Sequence, residues 1–140
     1  MSIKVLEDAR AHPARDMAMR SMSCVETGDR EGWLGLWAED GVIQDPVGVS
    51  PLDPEGLGHR GIEAITAFYD KVIGPAELRF HIRQSFACGS ECANVGTITT
   101  RVGGAISRTE LVAVYCLNPQ GKLASLRAFW EFEDTIGGVF

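Results

Sequence analysis

The chain has little of what a nucleic-acid or membrane protein needs. It carries 13 Lys and Arg against 19 Asp and Glu, a formal net charge of −6, and no run of basic residues. Sequence-independent nucleic-acid binding needs a basic stripe, and binding to anionic lipid needs a polybasic segment; neither is present. No apolar run approaches the roughly 20 residues of a membrane helix, and the opening MSIKVLEDARAHP has no signal-peptide core. A cytoplasmic location is therefore expected, with no nucleic-acid and no membrane partner. Cysteines 24, 88, 92 and 116 lack the paired short spacings of a zinc site, and His12, His59 and His81 do not complete one. In a chain without a secretory signal the thiols are expected to stay reduced, and no metal site is expected.

What remains is ordinary for one globular domain: 140 residues, 45% hydrophobic, 16 Gly and 6 Pro. Residues 1–12 read as a loosely held tail and 13–140 as a single domain. Pro13 suits the first turn of a helix running to Thr27, which Gly28 stops. Asp29 caps a short second helix carrying Trp33, Leu36 and Trp37. The chain is expected to turn at Asp40-Gly41 into a strand, Val42 to Asp45, that ends at Pro46. Period-two alternation then puts Asp45 on the same face as Ile43 and Val47. A carboxylate on an apolar face is poorly solvated, which raises its pKa and suits it to accept a proton near neutral pH; Asp-Pro-Val-Gly is also plain turn chemistry.

A loop spans residues 46–60, and its length suits a lid or rim. A third helix from Gly61 buries Ile62, Ile65, Phe68, Tyr69 and Val72, and Gly74-Pro75 ends it. From Ala76 onward the period is two. Four strands follow, joined at Gly89-Ser90, Gly103-Gly104 and Asn118–Gly121. The third, Ile106 to Leu117, is apolar on both faces from Leu111, so both faces should be covered. In the fourth, Lys122 to Phe132, the residues Ala124, Leu126, Ala128, Trp130 and Phe132 share a face. Helices followed by short-linked strands indicate α+β, an antiparallel sheet curled over N-terminal helices.

The segments AEDGVIQDPVG, GIEAITAFYD and NPQGKLASLRAFWEF, in that order and spacing, resemble the ketosteroid isomerase branch of the nuclear-transport-factor-2-like superfamily, and CVETGDREGW is similar to its actinobacterial members. The resemblance implies a cone-shaped α+β barrel, homodimeric, around a deep pocket for a small hydrophobic, steroid-like ligand. It implies Asp45 as the base that moves a proton within a 3-oxosteroid, without a cofactor. It also implies Tyr69 in the hydrogen-bond network beside the keto oxygen and Trp130 as the aromatic shield over the base. Val47 and Phe68 are expected to contact the substrate. The family holds the substrate oxyanion with a Tyr and a protonated Asp; counting from Gly28-Asp29 and from Asn118 puts Ser21 and Ala113 there instead. The loop over 49–60 is also longer than the resemblance implies. Tyr69 is the first substitute donor to consider, then Ser21 or a water.

Two other readings stand beside the isomerase. One is a steroid-binding protein without turnover. The other is a different pocket enzyme on this fold, such as a polyketide cyclase or an epoxide hydrolase. The hydrolase would need an Asp-Arg-Asp cluster, and no spacing in the chain matches one. Arg83, Arg101 and Arg108 read more simply as solvated strand residues than as ligands for an anionic substrate.

Overall fold

The structure, a computed structural model, describes residues 9–132 and 136–137. Most of the expected tail and the last few residues of the expected domain therefore lie outside the described residues.

The first helix, α1, spans Pro13–Thr27, as its punctuation predicts. The imidazole of His12 accepts a hydrogen bond from the Ala14 amide, Pro13 fills the first turn and Gly28 caps the end. Its buried stripe is Ala14, Ala18, Ser21 and Met22. Helix α2, Arg30–Leu34, is capped by Asp29, whose carboxylate accepts from the Gly32 amide at 2.9 Å. It is shorter than expected.

Trp37 already belongs to strand β1, Trp37–Gln44, and Asp40-Gly41 lies inside that strand instead of turning the chain. The reason is local crowding. A bulge between Trp37 and Val42 bends the strand, and a side chain on Gly41 would come within 2.8 Å of the Trp37 ring and 3.1 Å of Ile65. Only glycine lets β1 lie this close to the third helix.

The loop that follows contains a two-residue strand, β2, His59–Arg60, paired with Val42 and Ile43. Helix α3, Ile62–Phe68, continues as a π-helical turn, Tyr69–Ile73. Three long strands come next: β3 Glu77–Cys88, β4 Glu91–Val102 and β5 Ala105–Leu117. Strand β6, Leu123–Phe129, and the two-residue β7, Ile136–Gly137, complete the sheet.

The sheet order is β2-β1-β6-β5-β4-β3, with β7 paired to β5. The expected α+β sheet folded over N-terminal helices is present, with two corrections. The sheet is open, because β2 and β3 end it without pairing to each other, so the curved sheet is not closed into a barrel. It is also not wholly antiparallel: β1 and β6 run parallel, with Ile43 opposite Leu126.

Curvature is built into β4. A side chain on Gly96 would stand 2.3 Å from the His81 carbonyl, next to a bulge between Ile82 and Gln84. At that point the strands approach more closely than any side chain allows. The core lies on the concave face, where Leu111, Ala113 and Tyr115 meet Met22, Trp33, Ile65 and Phe68. Within the single chain the convex face of β5 is open: Val112 is 36% exposed, beside Phe129 on β6 at 42%. Among the described residues no helix is long and apolar enough to cross a membrane.

Candidate active site

Between the concave face and the helices lies a cavity of about 370 Å³. Its size falls within the range of small-molecule sites. The walls are overwhelmingly apolar: Met22 and Trp33 from the helices, Phe68 from α3, and Phe80, Leu111 and Leu126 from the sheet.

Asp45, the residue after β1, is partly buried and opens onto this cavity. Its Oδ1 accepts a hydrogen bond from Trp130 Nε1 at 2.6 Å. Burial raises the pKa of its carboxyl above the usual carboxylate value; the indole N–H pulls it down, and His59 adds a smaller pull in the same direction. Trp130 is therefore more than a shield. Among the described residues it is the one side chain that hydrogen-bonds the carboxylate, and it stacks on Phe132 at 5.2 Å.

The structure brings Asp45, Trp130, Ser21, Ala113 and Phe68 together on the cavity wall. Two expected residues are placed elsewhere. Val47 lies in a shallow depression on the convex face with Val112, Phe129, Arg83 and Glu110. Its amide donates to the Ala128 carbonyl, and strand β1 has already ended at Gln44, so strand alternation does not carry on past Asp45.

Tyr69 is buried against Trp33 at 5.2 Å and is not among the lining residues. Burial raises the pKa of its hydroxyl, and the charges that act on it belong to Arg30, Asp29, Cys24 and Asp70 at the outer end of the helices. The resemblance implies Tyr69 in the hydrogen-bond network beside the keto oxygen; in this structure its side chain packs on Trp33 behind the cavity wall.

Two cavity residues were missed. Tyr115 lies on the same strand face as Ala113, two residues further along β5, and feels the charge of Asp45. Burial is the main influence that raises its pKa, Asp45 the next, and a hydrogen bond with Ser21 opposes both. Asn94 on β4 sits directly across from Ala113, is 1% exposed, and its Nδ2 has no hydrogen-bond partner. Its Oδ1 accepts from the Cys92 thiol at 3.4 Å. Strand alternation through Ala113 would have flagged Tyr115. Asn94 carries no sequence signal of its own.

Ser21 Oγ accepts from Trp33 Nε1 at 3.1 Å, in the core between α1 and α2. Among the described residues no group of three or more His, Cys, Asp and Glu gathers as a metal would require.

A family model described as the SnoaL-like domain matches residues 18–134. The steroid Delta-isomerase of Nocardioides simplex is 27% identical over 117 residues, covering 84% of this chain and 89% of that protein. Among solved structures, the Delta 5-3-ketosteroid isomerase from Mycobacterium sp. is 34% identical, with a TM-score of 0.87 over 91% of this chain and 100% of that one. RV0760c from Mycobacterium tuberculosis is 33% identical, with a TM-score of 0.88 over 94% of this chain and 100% of that one. It has also been solved in complex with estradiol-17beta-hemisuccinate.

Proposed function

We infer that this chain, which belongs to the SnoaL-like family, shifts a carbon–carbon double bond within a 3-oxosteroid or a similar enolisable lipid, with Asp45 as the proton carrier. The observation that carries the reading is a carboxyl of raised pKa, held by one indole N–H, on the wall of an apolar cavity. The similarity to steroid isomerases supports the substrate class.

The chemistry follows from the groups present. In a ketone whose alkene is one carbon removed from conjugation, ionised Asp45 takes a proton from the intervening carbon. The C–H electron pair becomes a C=C bond, and the carbonyl π pair moves to oxygen, giving a dienolate. Protonated Asp45 then returns the proton to the far alkene carbon, and the carbonyl re-forms in conjugation. The same proton leaves and returns, so the reaction consumes no co-reactant. A base that stays inside the cavity between the two steps need not exchange with water.

The test is Asp45→Asn, assayed by the conjugated-enone absorbance formed from a 5-ene-3-oxosteroid. We expect turnover to fall by at least about 10²-fold while steroid binding persists. Full retained activity would sink the assignment.

A steroid-binding role without turnover is the second reading. It is favoured by Ser21 and Ala113, which stand where the resemblance puts oxyanion donors and offer at most one hydroxyl, itself hydrogen-bonded to Tyr115. Steroid binding by wild type with no turnover would select it.

We further propose a two-fold homodimer through the convex face, where Val112 and Phe129 are paired across β5 and β6 and stay exposed in the single chain. Sedimentation should give twice the 15.2 kDa chain mass at micromolar concentration, and a monomer would overturn this.

A further inference from the structure

The dienolate step rests on the isomerase reading and creates a demand that reading leaves open. Negative charge builds on the ketone oxygen inside an apolar cavity, where it is costly without hydrogen-bond donors. Several polar residues line the cavity. Thr100, Ser107 and Thr109 lie four or more residues along their strands from Asn94 and Ala113, about 13 Å or further. The Thr97 hydroxyl is turned to the other face, where it donates to Glu110. The Ser21 oxygen accepts from Trp33, and its hydroxyl is hydrogen-bonded to Tyr115. Asn94 and Tyr115 remain.

Their placement relative to the base follows from the sheet register. The amide next but one to Asp45, that of Val47, bonds to Ala128; Ala128 pairs with Ala113, and Ala113 with Asn94. A lateral row thus runs from the base to Asn94 across two alanines, whose methyl groups leave the space between them open to a ligand. Tyr115 flanks the same row two residues along β5.

We propose that Asn94 and Tyr115 are the catalytic donors that hold the substrate's ketone oxygen as it becomes an oxyanion, replacing across β4 and β5 the donors that Ser21 and Ala113 do not provide. Asn94 Nδ2 is buried with no acceptor, and a ligand oxygen at this end of the cavity gives it one. The Ser21 bond lowers the Tyr115 pKa, as a donor to the phenol oxygen does, so Ser21 gives its hydrogen to Tyr115 while its own oxygen accepts from Trp33. The Tyr115 O–H is then left for the ligand, and the chain Trp33–Ser21–Tyr115 polarises it. The neutral phenol is the form that can donate, and burial beside Asp45 keeps it neutral.

The experiment compares wild type with Tyr115→Phe, Asn94→Leu and the double variant, each close in shape to the residue it replaces. Turnover of the 5-ene-3-oxosteroid is expected to fall by about 10²–10³-fold in each single variant, with little change in KM. The double variant should lose less than the product of the two, as donors acting on one oxygen do.

A second readout does not depend on turnover. Estradiol is a phenol whose ionised ring mimics the dienolate, and its phenolate absorbance reports how far the site favours an oxyanion. Wild type should ionise bound estradiol at a lower pH than water does, and each variant should return the phenol toward its free pKa. Variants that bind estradiol with an unchanged phenolate fraction overturn the proposal, whatever their turnover. Asp45→Asn separates the two readings: it should abolish turnover yet leave the phenolate fraction undiminished. Full turnover in Asp45→Asn sinks the isomerase reading while the phenol titration still decides the donors. If Tyr115→Phe fails to fold by circular dichroism, Asn94→Leu carries the same test alone.

Discussion

Asp45 and Glu110 are two carboxylates on opposite faces of one sheet, and their surroundings make different things of them. Glu110 stands on the convex face, with 64% of its side chain exposed. It accepts from the Arg83 guanidinium at 2.6 Å and from the Thr97 hydroxyl at 2.9 Å. That pairing holds its pKa below the usual glutamate value. Asp45 faces the concave side, accepts from one neutral donor among the described residues, feels a smaller pull from His59, and is pushed the other way by burial. A compensated carboxylate stays ionised and idle at any physiological pH. One left short of partners in an apolar wall holds a proton more readily, which a proton carrier needs. What separates the two acids is that an arginine compensates Glu110, whereas burial outweighs the weaker pull of His59 on Asp45.

The comparison breaks most sharply in turnover. Replacing Asp45 by Asn is expected to remove about 10²–10⁴ of the steroid isomerisation rate, whereas Glu110→Gln leaves it unchanged. An equal loss from both, measured under one assay, would erase the distinction.

Trp130→Phe sharpens it. The ring remains but the N–H is gone, so the pKa of Asp45 climbs further. The rising limb of the pH–rate profile then moves to higher pH, and turnover at neutral pH falls on the order of tenfold, the scale of a lost hydrogen bond to a charged group. An unmoved limb would mean that the indole does not tune the base.

Stability gives a smaller contrast, of opposite sign for the two acids. The folded-state pKa of Asp45 is raised, so its contribution is fully present below the unfolded aspartate value of about 3.9 and is lost as pH rises through the folded value. Asp45→Asn should therefore unfold at a higher temperature than wild type at pH 7, and the gap should close as the pH falls below about 4. Glu110 is depressed, so its contribution is present above about 4.3 and is lost as pH falls through the lower folded value. Glu110→Gln should cost a few tenths of a kcal/mol at pH 7, the usual worth of an exposed pair, and nothing in acid. Thermal melts of both variants across pH check the pair of signs together.

Much of this was legible in the residues. Punctuation at Pro13, Gly28 and Gly74-Pro75 bounds the helices, and period-two alternation from Leu78 onward gives the hairpins. The alternation Leu126, Ala128, Trp130 puts Trp130 on the face that meets Asp45, and the structure has the 2.6 Å bond between them. What was not legible depends on distant crowding. Trp37 carries a helix-like apolar spacing, yet Leu123 on β6 draws it into a strand. Tyr69 continues the apolar spacing of α3 into the π-helical turn, where it packs on Trp33 and is not among the cavity-lining residues. The parallel join of β1 to β6 leaves no local trace, because neither segment alone specifies which edge it will meet.

That join also has a consequence in time. Asp45 and Trp130 are 85 positions apart in the chain. At a synthesis rate of roughly 5–20 residues per second, Asp45 emerges on the order of ten seconds before the indole that hydrogen-bonds it. Over that interval β1 has no β6 to lie against, and the concave face is unfinished. Contacts of such long sequence separation form late and slow the folding of the domain. A nascent chain halted before Leu123 would thus carry every described helix and Asp45, and still lack the Leu126, Ala128 and Trp130 wall of the cavity.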